Sequence, residues 1–395
     1  MAAKIGLNDI DVKGKRVLVR VDFNVPMEGK QITDDTRIQA ALPTIHALIR
    51  KSAKIILVTH LGRPKGFDPE QSTEPIAVAL SKLLGQRVKH TVDVIGPEVE
   101  AVVSELQEGD VLLLENVRFY DEETKNDAAF AEKLASLADV YVNDAFGAAH
   151  RAHASTEGIT HHIKTCAAGL LMEREITYLS KAVHNPARPF IAILGGAKVS
   201  DKIGVIENLL DKVDALLIGG GMTYTFLKAM GKQIGNSIVE LDKVSLANDI
   251  LKKAQARNLA IHLPSDDVIG KEFKPDTESK VVASGEIPEG WQGLDIGPET
   301  VKAFSEVIST AKTVVWNGPL GVYEFEKFAQ GTINIAKKIA ESEAISIIGG
   351  GDCVAAVQKA GVADRITHIS TGGGASLEFL EGRTLPGLAA LTDKI

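Results

Sequence analysis

Three glycines and an aspartate, Gly349 to Asp352, lie where a strand-like run gives way to a helix-like run. The preceding run, Ile345–Ile348, is rich in β-branched residues and predicts a buried parallel strand. Glycine lets the backbone approach a ligand closely, and the free N–H groups at a helix start favour phosphate. Asp352 could then hold Mg²⁺ on that phosphate. A tight turn without a ligand explains this segment about equally well, so other segments must decide.

Similar glycine turns follow four further strand-like runs in the second half of the chain. In parallel α/β sheets, ligands bind at the carboxyl ends of strands, so repeated glycine turns indicate a nucleotide lying across one sheet edge. The turns are Gly195–Ala197, Gly219–Gly221, Asn317–Gly321 with Glu324 just beyond, and Gly372–Gly374.

Two lysines accompany the first of these turns. Lys198 and Lys202 are four residues apart, so they would share one face if a helix began at Val199 or Ser200. Together with Asp352, these lysines strengthen the prediction of a site for a magnesium-bound polyphosphate.

The known nucleotide motifs are absent or incomplete. The Walker pattern GxxxxGK[ST] does not occur. Gly219, Gly349 and Gly372 each begin G-x-G, but none is followed by the third glycine of the dinucleotide fingerprint. The pattern therefore weakens the case for a nicotinamide or flavin dinucleotide.

Basic side chains take the place of glycines after the strand-like runs of the first half. Guanidinium groups bind phosphate and carboxylate in a fixed fork geometry. Asp22 and Asn24, after the first run, can receive hydroxyl groups. The set suits a small, hydroxylated substrate with several negative charges. The basic residues are Arg37, near the start of a helix that Asp34 could cap, and His60, Arg63, Arg118 and Arg151.

Each of these residues also has a simpler interpretation. An isolated arginine after a strand is usually a solvated surface residue, although four at corresponding strand ends make that hard to sustain. His150 and His153 have a spacing that could suggest zinc, but no nearby cysteine completes a site, so hydrogen bonding or ligand contact is the better expectation. For Asp144 we expect a bond to backbone or histidine rather than acid catalysis.

Composition sets limits on the kind of protein. A chain of 395 residues, 45% hydrophobic, is larger than one core usually holds, which predicts two domains. Apolar runs are too short to span a membrane, and no signal peptide is evident. Two cysteines do not make a disulfide framework, and a reducing cytoplasm fits. A net charge of −8 argues against a general nucleic-acid binder.

Strand-like runs alternate with helix-length amphipathic stretches along the whole chain, which predicts parallel sheets with helices on both faces. The stretch Leu170–His184 predicts one amphipathic helix, and the prolines of Asn185–Pro189 must end it. This segment is the predicted boundary. The principal predicted strands are Arg16–Phe23, Lys54–His60, Val111–Val117, Val140–Phe146, Phe190–Leu194, Ala215–Ile218, Thr313–Trp316, Ile345–Ile348 and His368–Ser370, with weaker ones around Val88–Val94 and Ala260–Leu263.

At this point the motifs resemble those of a known family. In order and from end to end, the chain resembles the phosphoglycerate kinases of bacterial size. The segments that carry the resemblance are VDFNVP (21–26), THLGRP (59–64), LENVRF (114–119), AHRAHAS (149–155), GGAKVSDK (195–202), IGGGM (218–222), WNGPLGVYE (316–324), GGGDC (349–353) and STGGGAS (370–376).

The resemblance implies two Rossmann-like lobes, each a parallel sheet with helices on both faces, joined by a long helix. The expected divisions are a phosphoglycerate-binding lobe over 1–170, a helix and hinge over 171–189, a nucleotide-binding lobe over 190–380, and a tail over 381–395 that packs back on the first lobe. The implied reaction carries phosphoryl from 1,3-bisphosphoglycerate to MgADP in glycolysis, giving 3-phosphoglycerate and MgATP. A cytoplasmic monomer is expected, without nucleic-acid or membrane partners.

The resemblance also implies roles for individual residues. Arg37 and Lys198 are expected to stabilise the transferring group, Glu324 to lie near the ribose, and Asp352 to hold Mg²⁺. The implied catalytic residues are Arg37, Lys198, Lys202, Gly350 and Gly373. The implied substrate residues are Asp22, Phe23, Asn24, Arg37, His60, Leu61, Gly62, Arg63, Arg118 and Arg151. The implied nucleotide residues are Gly195, Lys202, Gly219, Gly220, Gly293, Asn317, Pro319, Glu324, Gly350, Gly351, Asp352 and Cys353.

One departure and two rival functions accompany these expectations. Cys353 stands where the family often has Thr or Ser; because the backbone N–H can still serve phosphate, we expect modest loss at most and a silent rather than redox-sensitive thiol. A nucleotide-linked dehydrogenase would need the missing third glycine. A non-catalytic two-lobed binding protein would need neither the lysine pair nor a magnesium carboxylate, and usually carries an export signal.

Overall fold

The computed structural model describes residues 3–394, which divide into two compact units. The first unit comprises residues 3–177 with 384–394, and the second comprises 178–383. The domain divisions expected from the resemblance remain a prediction in their details.

The first unit is built on a six-stranded parallel sheet with the strand order β5-β6-β4-β1-β7-β8. The strands of this unit are β1 (Arg16–Arg20), β2 (Met27–Glu28), β3 (Gln31–Ile32), β4 (Lys54–Val58), β5 (Val88–His90), β6 (Val111–Leu113), β7 (Val140–Asn143) and β8 (Cys166–Ala168), of which β2 and β3 form a separate two-stranded sheet. Its helices up to this point are α1 (Thr36–Arg50), α2 (Glu74–Leu84), α3 (Pro97–Ser104), α4 (Asp121–Thr124) and α5 (Ala128–Ser136).

The strand order of this sheet explains where the basic residues lie. The strands β6, β4, β1 and β7 are consecutive neighbours in the sheet. Because parallel strands end at the same edge, the four loops that carry the predicted arginines and His60 lie side by side. The buried valines, leucines and isoleucines of these strands, packed against α1 and α2, hold that edge in place.

The long helix predicted between the units is present with the predicted bounds, as α6 (Leu170–His184). Its first turn is tied to the end of β7. Asp144 Oδ1 accepts hydrogen bonds from the N–H groups of Leu171 (3.0 Å) and Met172 (3.3 Å), which have no partner within the helix. Asp144 therefore holds backbone, as expected from the sequence.

The second unit contains another six-stranded parallel sheet, with the order β12-β10-β9-β17-β18-β19. Its strands are β9 (Phe190–Leu194), β10 (Ala215–Ile218), β11 (Gln233–Ile234), β12 (Ala260–His262), β13 (Asp266–Gly270), β14 (Ser279–Ala283), β15 (Glu286–Ile287), β16 (Gln292–Ile296), β17 (Thr313–Asn317), β18 (Ile345–Gly349) and β19 (His368–Ile369). Its helices are α7 (Ile203–Leu209), α8 (Thr223–Ala229), α9 (Val244–Ala256), α10 (Pro298–Thr310), α11 (Gln330–Glu341), α12 (Gly351–Lys359) and α13 (Gly374–Leu380).

The glycine turns of the sequence follow β9, β10, β17, β18 and β19, which are five consecutive neighbours in this sheet. The α/β class with parallel sheets and flanking helices is thus confirmed. A small antiparallel sheet, β14-β13-β16, was not predicted and packs its own apolar cluster around Ile269 and Tyr224.

The last residues of the chain return to the first unit, where they form α14 (Pro386–Ala389). The N–H of Gly387 donates to the carbonyl of Ala149 (2.9 Å), and Asn143 Nδ2 donates to the carbonyl of Gly387 (3.1 Å). This segment therefore supports the end of β7 and the loop that follows it. Within residues 3–394, no helix is long and apolar enough to cross a membrane.

Candidate active site

The loops after β1 and β4 are joined by hydrogen bonds among the predicted substrate residues. Arg37, in the first turn of α1, is half-buried and donates from Nη1 to the carbonyl of Asn24 (3.0 Å) and to Asp22 Oδ1 (3.3 Å). Asn24 Oδ1 in turn accepts from the N–H of Gly62 (2.9 Å). The arginine, the acidic residue and the glycine turn therefore form one surface rather than three separate loops.

The loop after β6 is attached to the same surface. Arg118 Nη1 donates to the carbonyl of Gly62 at 2.7 Å. Asn116, fully buried, accepts from the N–H groups of Leu61 and Arg118, both at 3.1 Å, and donates from Nδ2 to the carbonyl of Leu61 at 2.7 Å. Sequence reasoning gave Asn116 no role. The only indication in the sequence that Asn116 organises this loop was that a polar residue stands at the end of a predicted strand.

A cavity of about 310 Å³ opens beside these loops, and its wall includes Arg63, Arg118, Arg151 and His153. Burial lowers the pKa of Arg118 to about 10, with a further contribution from the neighbouring Arg151. Arg118 Nε is buried without a hydrogen-bond partner. Crowded guanidinium groups and an unused donor are the features expected of a site for an anion with several charges.

His60 lies within this cluster of positive charge and is 4% exposed. Its pKa is well below the usual range, first because the ring is buried and then because Arg20, Arg118, Arg151 and Arg37 surround it. Four predicted substrate residues are therefore within electrostatic range of one another. Arg20, the buried last residue of β1, was missed by sequence reasoning because the predicted strand continued to Phe23 and so placed Arg20 in its interior.

His153, one of the two histidines spaced three residues apart, lies in the wall of this cavity. No cluster of three or more His, Cys, Asp or Glu side chains suited to a metal is found among residues 3–394. His150 Nε2 accepts from Arg151 Nε at 3.1 Å. Burial, followed by Arg118 and other nearby cations, lowers the pKa of His153 to about 4. Hydrogen bonding and a place in the cavity wall therefore account for the pair.

The second unit has a cavity of about 420 Å³ at the edge where the glycine turns lie. Its lining combines backbone of the turns with apolar side chains and three carboxylates. The lining residues are Gly196, Ala197, Gly220, Gly221, Tyr224, Ile238, Phe273, Gln292, Gly293, Leu294, Asp295, Pro319, Leu320, Gly321, Val322, Glu324 and Asp352.

The glycines at this edge serve two different purposes. A Cβ on Gly195 would lie 2.2 Å from the carbonyl oxygen of Pro319, and one on Gly220 would lie 2.7 Å from Gly196 N, so these glycines let neighbouring turns pack together. By contrast, a Cβ on Gly351 or Gly373 would meet no atom within 4 Å. The open glycines are the ones whose backbone is available to a ligand.

Two further predicted glycines also have packing reasons. A Cβ on Gly293 would lie 1.7 Å from Tyr224 Oη, and one on Gly219 would lie 2.6 Å from a methyl of Leu320. Gly293 lines the cavity, so its lack of a side chain both admits Tyr224 and keeps the wall open.

Lys202 and Asn317 form a buried polar pair at the base of the turns. Lys202 is 8% exposed, and its Nζ donates to Asn317 Oδ1. Burial lowers the pKa of Lys202, and Asp201 and other acidic groups oppose that shift. Asn317 Nδ2 is buried without a hydrogen-bond partner, although it lies close to Gly350. An ammonium and an unused amide donor near an open glycine turn can both bind a phosphate oxygen.

The condition for Lys198 and Lys202 to share a helical face, a helix start at Val199 or Ser200, is not met. The helix α7 begins only at Ile203, and Lys202 lies in a turn in which its N–H donates to the carbonyl of Val199. Lys198 is exposed while Lys202 is buried. Within this turn Ser200 is bonded to Glu240, which accepts from both its N–H (3.0 Å) and its hydroxyl (2.5 Å).

Asp352 lies in the first turn of α12, exposed beside the cavity, with Tyr323 Oη 3.4 Å from Oδ1. Burial and the nearby Asp352 raise the pKa of Tyr323 to about 12. Glu324 also lines the cavity. One carboxylate, without further protein ligands, fits Mg²⁺ held mainly by water and phosphate oxygens rather than by a protein cage. Cys353 is fully buried with a pKa well above its usual range because of that burial.

Comparisons with known proteins agree with this geometry. Residues 7–383 match the family model described as phosphoglycerate kinase. The chain is 58% identical over 393 residues to a phosphoglycerate kinase of Moorella thermoacetica, covering 99% of this chain and 100% of that protein. It is 59% identical over 391 residues to a cytosolic phosphoglycerate kinase of Nicotiana tabacum, with 98% of each covered.

Solved structures give the same result. The chain is similar to the structure of phosphoglycerate kinase from Coxiella burnetii, with a TM-score of 0.89, 40% identity and 98% of each chain covered. It is also similar to the phosphoglycerate kinase of Pyrococcus horikoshii, with a TM-score of 0.86, 37% identity and 98% of each chain covered.

Proposed function

The chain belongs to the phosphoglycerate kinase family, and we propose from this premise how its residues divide the reaction between them. It is a kinase of glycolysis that transfers a phosphoryl group reversibly from 1,3-bisphosphoglycerate to ADP, giving 3-phosphoglycerate and ATP. The observation that carries the division of roles is that each unit has a cavity beside the loops that follow its parallel strands, and these two cavities are opposite in character. One is lined by arginines, and the other by glycine backbone and carboxylates.

The first unit binds the phosphoglycerate. Arg63, Arg118 and Arg151 supply the positive charge for its phosphate, and the unpartnered Arg118 Nε is an available donor. Asp22 and Asn24 receive its hydroxyl group. These assignments, with Phe23, His60, Leu61 and Gly62 as further wall residues, are supported by the hydrogen bonds that unite the loops after β1, β4 and β6.

The second unit binds the nucleotide. Glu324 lies at the ribose, while Lys202, Asn317 and the open turn Gly350–Cys353 bind the phosphates. The support for this is the buried Lys202–Asn317 pair and the absence of packing atoms above Gly351. Asp352 would hold Mg²⁺, which supplies positive charge to neutralise the β- and γ-phosphate oxygens.

The chemistry needs no covalent enzyme intermediate. An ADP oxygen attacks the phosphorus of the acyl phosphate while the bond to the carboxylate oxygen breaks, and a carboxylate leaves readily without a proton. Catalysis is therefore positioning and stabilisation of charge on the transferring group, for which Arg37 and Lys198 are the proposed donors. Gly350 and Gly373 offer backbone N–H groups. Closure of the two lobes would exclude water, which would otherwise hydrolyse the acyl phosphate.

A coupled assay of ATP formation from 1,3-bisphosphoglycerate and ADP tests the assignment directly. Arg37→Ala should reduce turnover by at least about 100-fold while leaving ADP affinity within about twofold, because Arg37 belongs to the other half-site. The matched control is Arg16→Ala, which removes only exposed contacts at the other end of β1, an ion pair with Asp139 and a hydrogen bond to the carbonyl of Ser136. Normal turnover in Arg37→Ala would remove that residue from the transition-state role.

The protein is proposed to be a cytoplasmic monomer. Both cysteines, Cys166 and Cys353, are unpaired thiols, as a reducing compartment would require. Sedimentation of the purified protein across a range of concentrations measures the oligomeric state.

A further inference from the structure

A buried chain of hydrogen bonds lies beneath the arginine-lined cavity and ends on His60. It starts at Glu123, which is 0% exposed and accepts from Ser155 twice, from the N–H to Oε2 (2.8 Å) and from the hydroxyl to Oε1 (2.6 Å). The Ser155 hydroxyl also accepts from Arg20 Nε at 2.8 Å. Arg20, itself 1% exposed, then reaches His60 Nδ1 from Nη2 at 3.1 Å.

The direction of the last bond follows from the chemistry of its two partners. A guanidinium group has five N–H donors and no acceptor, so Arg20 can only donate. His60 Nδ1 must therefore be the acceptor and carry a lone pair. A neutral imidazole has one protonated nitrogen, so the ring proton is on Nε2.

The same surroundings keep the ring neutral. His60 is buried among Arg20, Arg37, Arg118 and Arg151, and a further positive charge there would be repelled by all four. Burial and this repulsion both hold the pKa of His60 well below its usual range. The ring therefore offers a neutral donor at Nε2 and does not add to the charge of the site.

The position of Arg20 is in turn fixed from several sides. Its Nη1 donates to the carbonyl of Val21, and Tyr141 Oη donates to the carbonyl of Ser155 at 2.8 Å. Glu123 supplies the negative charge that a buried guanidinium requires. At 1% exposure, Arg20 has no surface left for a ligand, so it can act on the substrate only through a neighbour.

We propose that Arg20 is a positioning residue that fixes His60 as the neutral Nε2–H tautomer, so that His60 binds phosphoglycerate as a hydrogen-bond donor. The inference rests on the proposed function for the identity of the ligand, but the tautomer itself does not depend on activity. The Glu123–Ser155–Arg20 chain is then part of the substrate-binding machinery, although none of the three needs to touch substrate.

The first test is direct. Long-range ¹H–¹⁵N NMR of the wild-type protein at pH 7, with the His60 signals assigned by their loss in His60→Gln, reports both ring nitrogens. We expect an unprotonated nitrogen at Nδ1 and a protonated one at Nε2. A proton on Nδ1, or an imidazolium, would overturn the proposal whether or not the protein is an active kinase. Conversely, absence of kinase activity with the expected tautomer would count against the proposed function alone.

The second test measures the consequence for substrate. Arg20→Met should weaken 3-phosphoglycerate binding by roughly tenfold or more, the loss expected for a hydrogen bond to a charged ligand group, and leave ADP binding unchanged. Because Arg20→Met strands Glu123 without a counter-charge, the double variant Arg20→Met/Glu123→Gln serves if the single variant does not fold. Arg16→Gln, on the same strand with an exposed ion pair, is the control. Unchanged 3-phosphoglycerate affinity in the folded variant would refute the positioning role.

A pair of substitutions at His60 separates the two ring nitrogens. The amide of Gln reaches the position of Nε2 and can still donate there, whereas the amide of Asn reaches only the position of Nδ1. We expect His60→Gln to retain more 3-phosphoglycerate affinity than His60→Asn, by about tenfold. The opposite order would show that the substrate does not depend on a donor at Nε2.

Discussion

The two kinds of glycine at the nucleotide edge should respond in opposite ways to a single methyl group. Gly351 is the first residue of α12, its φ is not in the left-handed region, and a Cβ would meet nothing within 4 Å. Gly220 has φ +69°, and a Cβ there would lie 2.7 Å from Gly196 N and 2.8 Å from the carbonyl oxygen of Pro319. We therefore expect Gly351→Ala to reduce binding and Gly220→Ala to reduce stability.

The magnitudes follow from these distances. In Gly220→Ala, left-handed backbone costs about 1–2 kcal/mol and the contact with immovable backbone about 1–3 kcal/mol more, so about 2–5 kcal/mol of the unfolding free energy should be lost. Gly351→Ala should change stability by less than about 1 kcal/mol, because alanine is the better helix former. It should weaken ADP binding roughly 10- to 100-fold, since a methyl group keeps phosphate oxygens from the backbone N–H groups and one charge-assisted hydrogen bond is lost.

Gly361→Ala is the matched control, because Gly361 has φ +70° but open space around it. It isolates the conformational cost of about 1–2 kcal/mol. Urea unfolding followed by tryptophan fluorescence measures stability, since both tryptophans, Trp291 and Trp316, are in the second unit. Calorimetry measures ADP affinity. If Gly351→Ala binds ADP as tightly as wild type, phosphate does not lie over that glycine, and equal stability of the Gly220 and Gly361 variants would refute the packing explanation.

Three further predictions concern single side chains. Asp352→Asn should raise the Mg²⁺ concentration needed for half-maximal rate by about tenfold or more, and an unchanged magnesium dependence would refute its assignment. Burial raises the pKa of Asp144 from 3.8 to about 7. Between these two pH values the folded state keeps a proton on this carboxyl group that the unfolded state releases. The stability of the fold therefore falls as pH rises from about 4 to about 7. Asp144→Asn should therefore remove up to about 4 kcal/mol of this pH-dependent loss of stability. Hydrogen exchange of the 140–146 and 166–176 segments at pH 4.5 and 7.5 measures the stability of the variant and the wild type. The same pH dependence in both proteins would contradict the prediction. Cys353, buried with a raised pKa, should react with a thiol reagent only on unfolding, so rapid labelling of the native protein would show that it is not silent.

The starts of the main strands could be predicted from the sequence, but several of their ends could not. The first strand was expected to reach Phe23, whereas β1 ends at Arg20. Val21 and Phe23 are fully buried without being part of the strand, so apolar composition continues past the last ladder hydrogen bond. A buried residue and a paired strand residue have the same apolar character in the sequence. Only the neighbouring strands determine where pairing stops.

The candidate ligand-binding residues at the strand ends were easier to select from the sequence than the buried residues that hold them in place. Arginines and glycines at strand ends are visible because parallel sheets bind ligands there. Arg20, Ser155 and Glu123 come from three distant segments, and each by itself is an ordinary polar residue. These three residues come together only when β1 packs against the loops around it. The spacing of residues within any one segment of the sequence does not predict that contact. The start of α7 is similarly not visible in the local sequence, because the turn before it is bonded through Ser200 to Glu240, 40 residues further along the chain.

The return of the chain end to the first unit has a consequence for biosynthesis. Residues 384–394 complete the surroundings of Ala149 and Cys166, whose carbonyls accept from the N–H groups of Gly387 and Thr392. Because residues 384–394 follow the whole second unit in the chain, the first unit cannot be complete until the second unit has been synthesised. The first unit therefore cannot finish folding before the second is made, unlike a domain whose residues are continuous in the chain. A fragment of residues 1–383 should consequently have a first unit that lacks these contacts.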